Sequence, residues 1–163
     1  MNKTKRKIFE ASMKLFADKG YDATSIEEIT ATVGVAKGTL YYHFSSKEEI
    51  FNFLVDEGVK LLKNSISIKT AKMNNSLDRI RAIVLIQIKI LFKYENFMTI
   101  ILSQIWGNDD RSKMCKKYVF EYIQMIEEIV KEGIQKKEII DKDADIIASG
   151  IFGFTCSSFI YKM

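Results

Sequence analysis

Apolar residues recur three and four positions apart along most of the chain, and short polar clusters interrupt them. Ile8, Ala11, Ser12, Leu15 and Phe16 fall on one face of a predicted helix over about residues 3–19, which Gly20 can close in a left-handed cap. Thr24 with Glu27 and Ser25 with Glu28 both fit a capping box. Either opens a second helix with Ile26, Ile29 and Val33 on its apolar side. Gly34 then turns the chain into a brief third helix over about residues 36–44. Ser45 and Ser46 with Glu48 and Glu49 start a long fourth helix that reaches about residue 72. Beyond the Met73-Asn74-Asn75-Ser76 break the spacing predicts helices over about residues 77–94 and 96–106. After the Gly107-Asn108-Asp109-Asp110 turn it predicts a helical stretch over about 111–137, compatible with a break near Lys117. Asp141 opens the last helix, which is still apolar at Met163.

Composition sharpens this picture in one respect: the 163 residues include no proline, so helices can run long and the expected class is all-α. The predicted organisation is a three-helix head, residues 1–46, and a larger helical body, residues 47–163. The net charge of +4 does not by itself indicate nucleic acid. The placement of Lys3, Lys5, Arg6 and Lys7 before the first acid, Glu10, is more informative. This tail reaches toward a phosphate backbone or remains a solvated terminus, and the sequence favours neither. Cys115 and Cys156 lie far apart without a partner motif, as expected of free buried thiols in a reducing cytoplasm. The basic start has no apolar h-region, which predicts no signal peptide, and residues 146–161 fall short of a membrane span and read as a buried helix.

The third predicted helix carries the candidate chemistry. With Val35, Leu40 and Phe44 turned inward, Lys37, Thr39, Tyr41, Tyr42 and His43 face outward. A row of hydrogen-bond donors on a small helix suits the major groove of DNA, and Gly38 leaves the start of that helix bare for close approach. His43 is the only histidine, and no Cys, Asp or Glu stands at metal-ligand spacing to it, so no metal site is expected.

Over about residues 5–55 the chain resembles the DNA-binding domain of the TetR/AcrR family of bacterial transcriptional regulators, on Ala11, Leu15, Phe16, Gly20, Tyr21, Thr24, Ile29, the run from Gly34 to Phe44, and Lys47-Glu48. The resemblance implies that the third helix is the recognition helix. Lys37, Thr39 and Tyr41 then match base-edge positions, Tyr42 and His43 the aromatic-histidine pair that grips phosphate, and Lys47 a phosphate-contacting lysine. Thr24 and Ser25 match the phosphate-contacting start of the second helix, and their capping duty explains them equally well. Ala36 stands where a serine often caps the recognition helix, and Thr30 replaces a common alanine.

Beyond residue 55 only helical patterning remains. Val119, Tyr122, Ile123, Ile126, Ile129, Val130, Gly133 and Ile134 keep a three-four spacing, and Ala148, Gly150, Gly153, Ser157 and Ser158 let backbones come close. The resemblance implies a homodimer formed through the last two helices, which would read a palindromic double-stranded operator. It also implies a ligand-responsive repressor. Phe97, Met98, Ile101, Trp106, Met114 and Tyr118 form the candidate pocket for a small hydrophobic effector. No cofactor is expected. An enzyme is disfavoured, since there is no phosphate loop, paired cysteine or His/Cys/carboxylate cluster. The rival class is a helical protein-interaction module without specific DNA binding.

Overall fold

The structure is a computed structural model that describes residues 2–161, except the side chains of residues 159 and 160; Met163, where the last helix was expected to end, lies outside it. The described residues form eight helices and no strand: α1 (Lys3–Lys19), α2 (Ile26–Val33), α3 (Lys37–His43), α4 (Lys47–Thr70), α5 (Ser76–Lys93), α6 (Glu95–Gln104), α7 (Asp110–Gln135) and α8 (Ala144–Ile160). Two compact units interleave along the chain. One comprises Met1–Gly58 and Glu95–Cys115, the other Val59–Tyr94 and Lys116–Met163.

In the first unit α1 packs against α2, α3 and α6. Ile8, Phe16, Ile29, Leu40, Phe44, Ile50, Phe51, Leu54 and Val55 are buried there, together with Phe97, Ile100 and Ile101 from α6. Phe16, Tyr21 and Phe51 pack ring against ring, with centroids 5.3 Å to 6.1 Å apart. The ends of the short helices are set by local chemistry. Ser25, rather than Thr24, caps α2: its hydroxyl accepts the Glu28 N–H at 3.1 Å while Glu28 accepts the Ser25 N–H at 2.9 Å. Thr24 is excluded because it is buried and its hydroxyl donates to Gly20 O at 2.8 Å. Gly34 takes the left-handed conformation (φ 73°, ψ 40°) that ends α2. Gly20 has positive φ but extended ψ (84°, 161°), so it closes α1 without the left-handed cap expected of it.

In the second unit Ile66, Ile83, Tyr122, Ile126, Ile129, Val130 and Ala148 form the core, and α5 packs on α8. The buried Tyr122 hydroxyl donates to Gln87 Oε1 at 2.9 Å. Three sequence expectations are corrected here. α7 runs unbroken through Lys117, as its continuous apolar spacing permits without a proline. α8 starts at Ala144 instead of Asp141: the charged run Asp141-Lys142-Asp143 stays outside, and the Asp143 carbonyl accepts the Ile147 N–H at 3.1 Å. Nor is α8 buried all round. Ala148, Thr155 and Cys156 are buried, but Ile146 and Phe154 are 65% and 71% exposed on a helix apolar on most sides. No helix among the described residues is long and apolar enough to cross a membrane.

Candidate nucleic-acid interface

α2, the Gly34 turn and α3 form a helix-turn-helix. α3 is only seven residues long and Ala36 gives it no side-chain cap, so local propensity does not hold it in place. Leu40 and Phe44, 0% and 1% exposed, anchor it from beneath. Anchoring those two positions turns Lys37, Gly38, Tyr41 and Tyr42 to solvent, with Thr39 and His43 half-buried beside them. Tyr42 is 85% exposed and its ring lies edge-on to His43, centroids 5.1 Å apart. A Cβ added at Gly38 would meet nothing within 4 Å, so the fold itself does not call for glycine there.

Lys37 is not idle. Its amine donates to Glu27 Oε1 of α2 at 2.5 Å, and this exposed contact lowers the Glu27 pKa and raises that of Lys37. Thr24 and Ser25, expected at the start of α2, serve the backbone here: Thr24 is buried, and Ser25 is half-buried in its capping box. Lys47 turns inward. Its Nζ donates to the carbonyls of Tyr21 and Thr24, each at 2.8 Å, and lies 4.2 Å from the centroid of the Tyr21 ring. Of the basic tail, Lys5 sits over the rings of Phe44 (4.7 Å) and Phe53 (4.4 Å), and Arg6 pairs with Glu10 at 3.5 Å.

The structure thus brings Lys37, Gly38, Thr39, Tyr41, Tyr42 and His43 together on one small helix, with Lys47 supporting the turn before α2. It treats the six candidate pocket residues differently. Phe97 and Ile101 are buried in the first unit, Phe97 pressed so close to Gly58 that an added Cβ there would lie 2.2 Å from its ring. Met98 and Met114 are half-buried in the same unit, Tyr118 is half-buried in the second, and Trp106 is 86% exposed. A groove of about 430 Å³ in the second unit is lined by Leu61, Ser65, Ile86, Lys89, Ile90, Lys93 and Tyr94, none of them among the six. The sequence also gave no notice of Arg111, which reaches Tyr21 and Asp22 from the start of α7. Its only local sign is a cation at a helix N-terminus, where the helix dipole disfavours one.

A helix-turn-helix with an exposed polar-aromatic second helix, followed by a wholly helical remainder, defines the class of helix-turn-helix regulators. The pattern for bacterial regulatory proteins of the tetR family matches residues 8–53. Across nearly the full chain, 96% of it and 85% of the other, the fold superposes on a candidate fatty acid metabolism regulator of Clostridium perfringens at 35% identity and a TM-score of 0.89. The chain belongs to the TetR family of bacterial regulatory proteins. The biofilm operon icaADBC negative transcriptional regulator IcaR of Staphylococcus aureus is 39% identical over 74 residues, 45% of this chain. That match covers 40% of IcaR, so the chain aligns with about two fifths of the length of this curated relative. AibR, solved with isovaleryl coenzyme A and operator DNA, shares the fold at 23% identity and a TM-score of 0.83, covering 99% of this chain and 87% of AibR.

Proposed function

We propose that this protein is a cytoplasmic DNA-binding repressor, not an enzyme, whose α3 enters the major groove of a palindromic operator and which a small hydrophobic ligand releases. Residues 1–46 act as the DNA-binding domain and residues 47–163 as the effector and dimerisation domain. The observation that carries this is the α3 surface: Leu40 and Phe44 fix the helix from below, while Tyr41 and Tyr42 project outward, Tyr42 85% exposed. Lys37, Thr39 and Tyr41 read base edges, Tyr42 and His43 grip phosphate, and Thr24, Ser25 and Lys47 hold the start of α2 and its preceding turn in the geometry that presents them. A second copy of the chain is supported by the second unit itself, where Phe120 on α7 and Ile146 and Phe154 on α8 leave large apolar surface exposed. AibR, a protein of the same fold, was solved with isovaleryl coenzyme A, whose branched acyl end is apolar although its coenzyme A part is charged; only that acyl end resembles the effector proposed here.

The test is selection of bound duplexes from a random DNA library at near-physiological salt, with a Tyr42→Ala/His43→Ala variant in parallel. Enrichment of a palindrome by the natural sequence alone supports the proposal. The double variant should then weaken binding to all sequences alike, the mark of lost phosphate rather than base contacts. Failure of both proteins to enrich any sequence would return the chain to the class of helical interaction modules.

A further inference from the structure

Arg111 lies at the second position of α7, where a cation meets the positive end of the helix dipole. Helix stability therefore gives no reason for an arginine there, yet its side chain is only 18% exposed. It reaches away from its own helix. The guanidinium carbon stands 3.9 Å from the centroid of the Tyr21 ring, and Nη2 donates to Asp22 Oδ1 at 3.3 Å and to Asp109 Oδ2 at 2.5 Å. Asp109 is fixed in turn, its Oδ1 accepting the Ser112 N–H at 2.8 Å and the Ser112 hydroxyl at 2.6 Å. Nε is buried without a partner. A buried donor left unpaired costs stability, so the stacking and the two carboxylates must outweigh that cost to hold the side chain where it is.

Tyr21 carries a second cation. Lys47, the first residue of α4, has its amine 4.2 Å from the same ring centroid and bonded to the carbonyls of Tyr21 and Thr24. The turn between α1 and α2 is thus held by α7 through Arg111 and by α4 through Lys47. It leads directly into the Ser25 cap of the helix-turn-helix, and Lys47 follows α3 by only four residues. Displacing Tyr21 would disturb both ends of the DNA-reading element.

We infer that Arg111 is a positioning residue for DNA binding: through Tyr21 and Asp22 it sets the turn that holds Lys47, and hence the attitude of α3, without touching DNA. This rests on the DNA-binding function proposed above.

The test uses the full chain with Arg111→Gln, Arg111→Lys, Asp22→Asn and the Arg111→Gln/Asp22→Asn pair, on the operator that the natural sequence selects. Arg111→Gln should weaken operator binding roughly tenfold in protein that remains folded, as expected for coupled neighbours. Its salt dependence should stay as steep as that of the natural sequence, because no phosphate contact is lost. Arg111→Lys should recover part of the affinity, and the double variant should bind no more weakly than Arg111→Gln alone. Folded Arg111→Gln that binds within twofold of the natural sequence overturns the inference. So does a shallower salt dependence, which would make Arg111 a phosphate contact. Should Arg111→Gln fail to fold, Asp22→Asn carries the same comparison in the same direction. Should the natural sequence select no DNA, the proposed function falls, and amide exchange decides the positioning role by itself. Exchange over residues 20–25 and 37–47 must then rise in Arg111→Gln relative to the natural sequence, and unchanged exchange overturns the inference.

Discussion

Replacing Lys47 by Met separates two roles that the sequence leaves superposed, phosphate contact and structural brace. Methionine keeps most of the apolar stem and removes the amine. The amine makes two charge-assisted hydrogen bonds at 2.8 Å and a cation–π contact at 4.2 Å. Bonds of that kind contribute about 1.5–3 kcal/mol each when well desolvated. Lys47 is half-buried, so water replaces part of what the carbonyls lose, and about 1 kcal/mol per bond is the better figure. The ring contact adds about 0.5–1 kcal/mol. The sum is a loss of about 2–3 kcal/mol, which for a chain of this length lowers the melting temperature by about 4–12 °C. Circular dichroism at the helix band is the suitable probe, because the single tryptophan, Trp106, is already 86% exposed and reports little of unfolding. A melting temperature within about 1 °C of the natural sequence, with salt dependence of DNA binding shallower by about 0.9, would refute the brace and make Lys47 a phosphate contact.

Gly58→Ala would drive a Cβ to 2.2 Å from the Phe97 ring, so it should destabilise the chain by about 1–3 kcal/mol in urea unfolding, and Phe97→Leu should rescue part of that loss. Burial raises the thiols of Cys115 and Cys156 to a pKa of about 11 each, so iodoacetamide at pH 8 should label neither until denaturant opens the fold. Glu27→Gln frees Lys37 and removes a negative charge beside α3, so on the proposed function operator titration at low salt should show a few-fold tighter binding, fading as salt rises.

Much of the first unit was legible because its signals are local. The periodicity of α1, the Ser25-Glu28 box and the Gly34 turn each occupy fewer than twenty residues, and each decides its own geometry. The outward row on α3 followed from the inward pair Leu40 and Phe44. What sequence reasoning missed is nonlocal. Lys47 bonds to a carbonyl 26 residues away and Arg111 to a carboxylate 89 residues away, and no spacing rule reports either. The last helix defeated it for another reason. α8 is apolar on most sides, so the pattern that marks a solvent face is missing, and a run such as Ile146–Tyr161 reads as buried whether its cover lies within this chain or in another copy.

In α3 one side of a short helix holds it in place and the other is left to solvent. Seven residues with no side-chain cap and a glycine at the second position would not stay helical alone. The helix persists because Leu40 and Phe44 are sequestered beneath it, which leaves Lys37, Gly38, Tyr41 and Tyr42 turned to solvent. Lys37 is also held by Glu27 of the preceding helix. That contact is exposed and weak in high dielectric, so DNA phosphates and base edges can displace it at small cost. It also orients the amine before DNA arrives and keeps an acidic group at the mouth of the interface. Drawing Lys37 to DNA leaves the Glu27 carboxylate unpaired, so a duplex must offer that amine enough to offset both the broken pair and the exposed charge. If α3 reads DNA as proposed above, α2 thus sets a threshold that only a good acceptor for Lys37 exceeds, and that threshold sharpens the choice of sequence at this position.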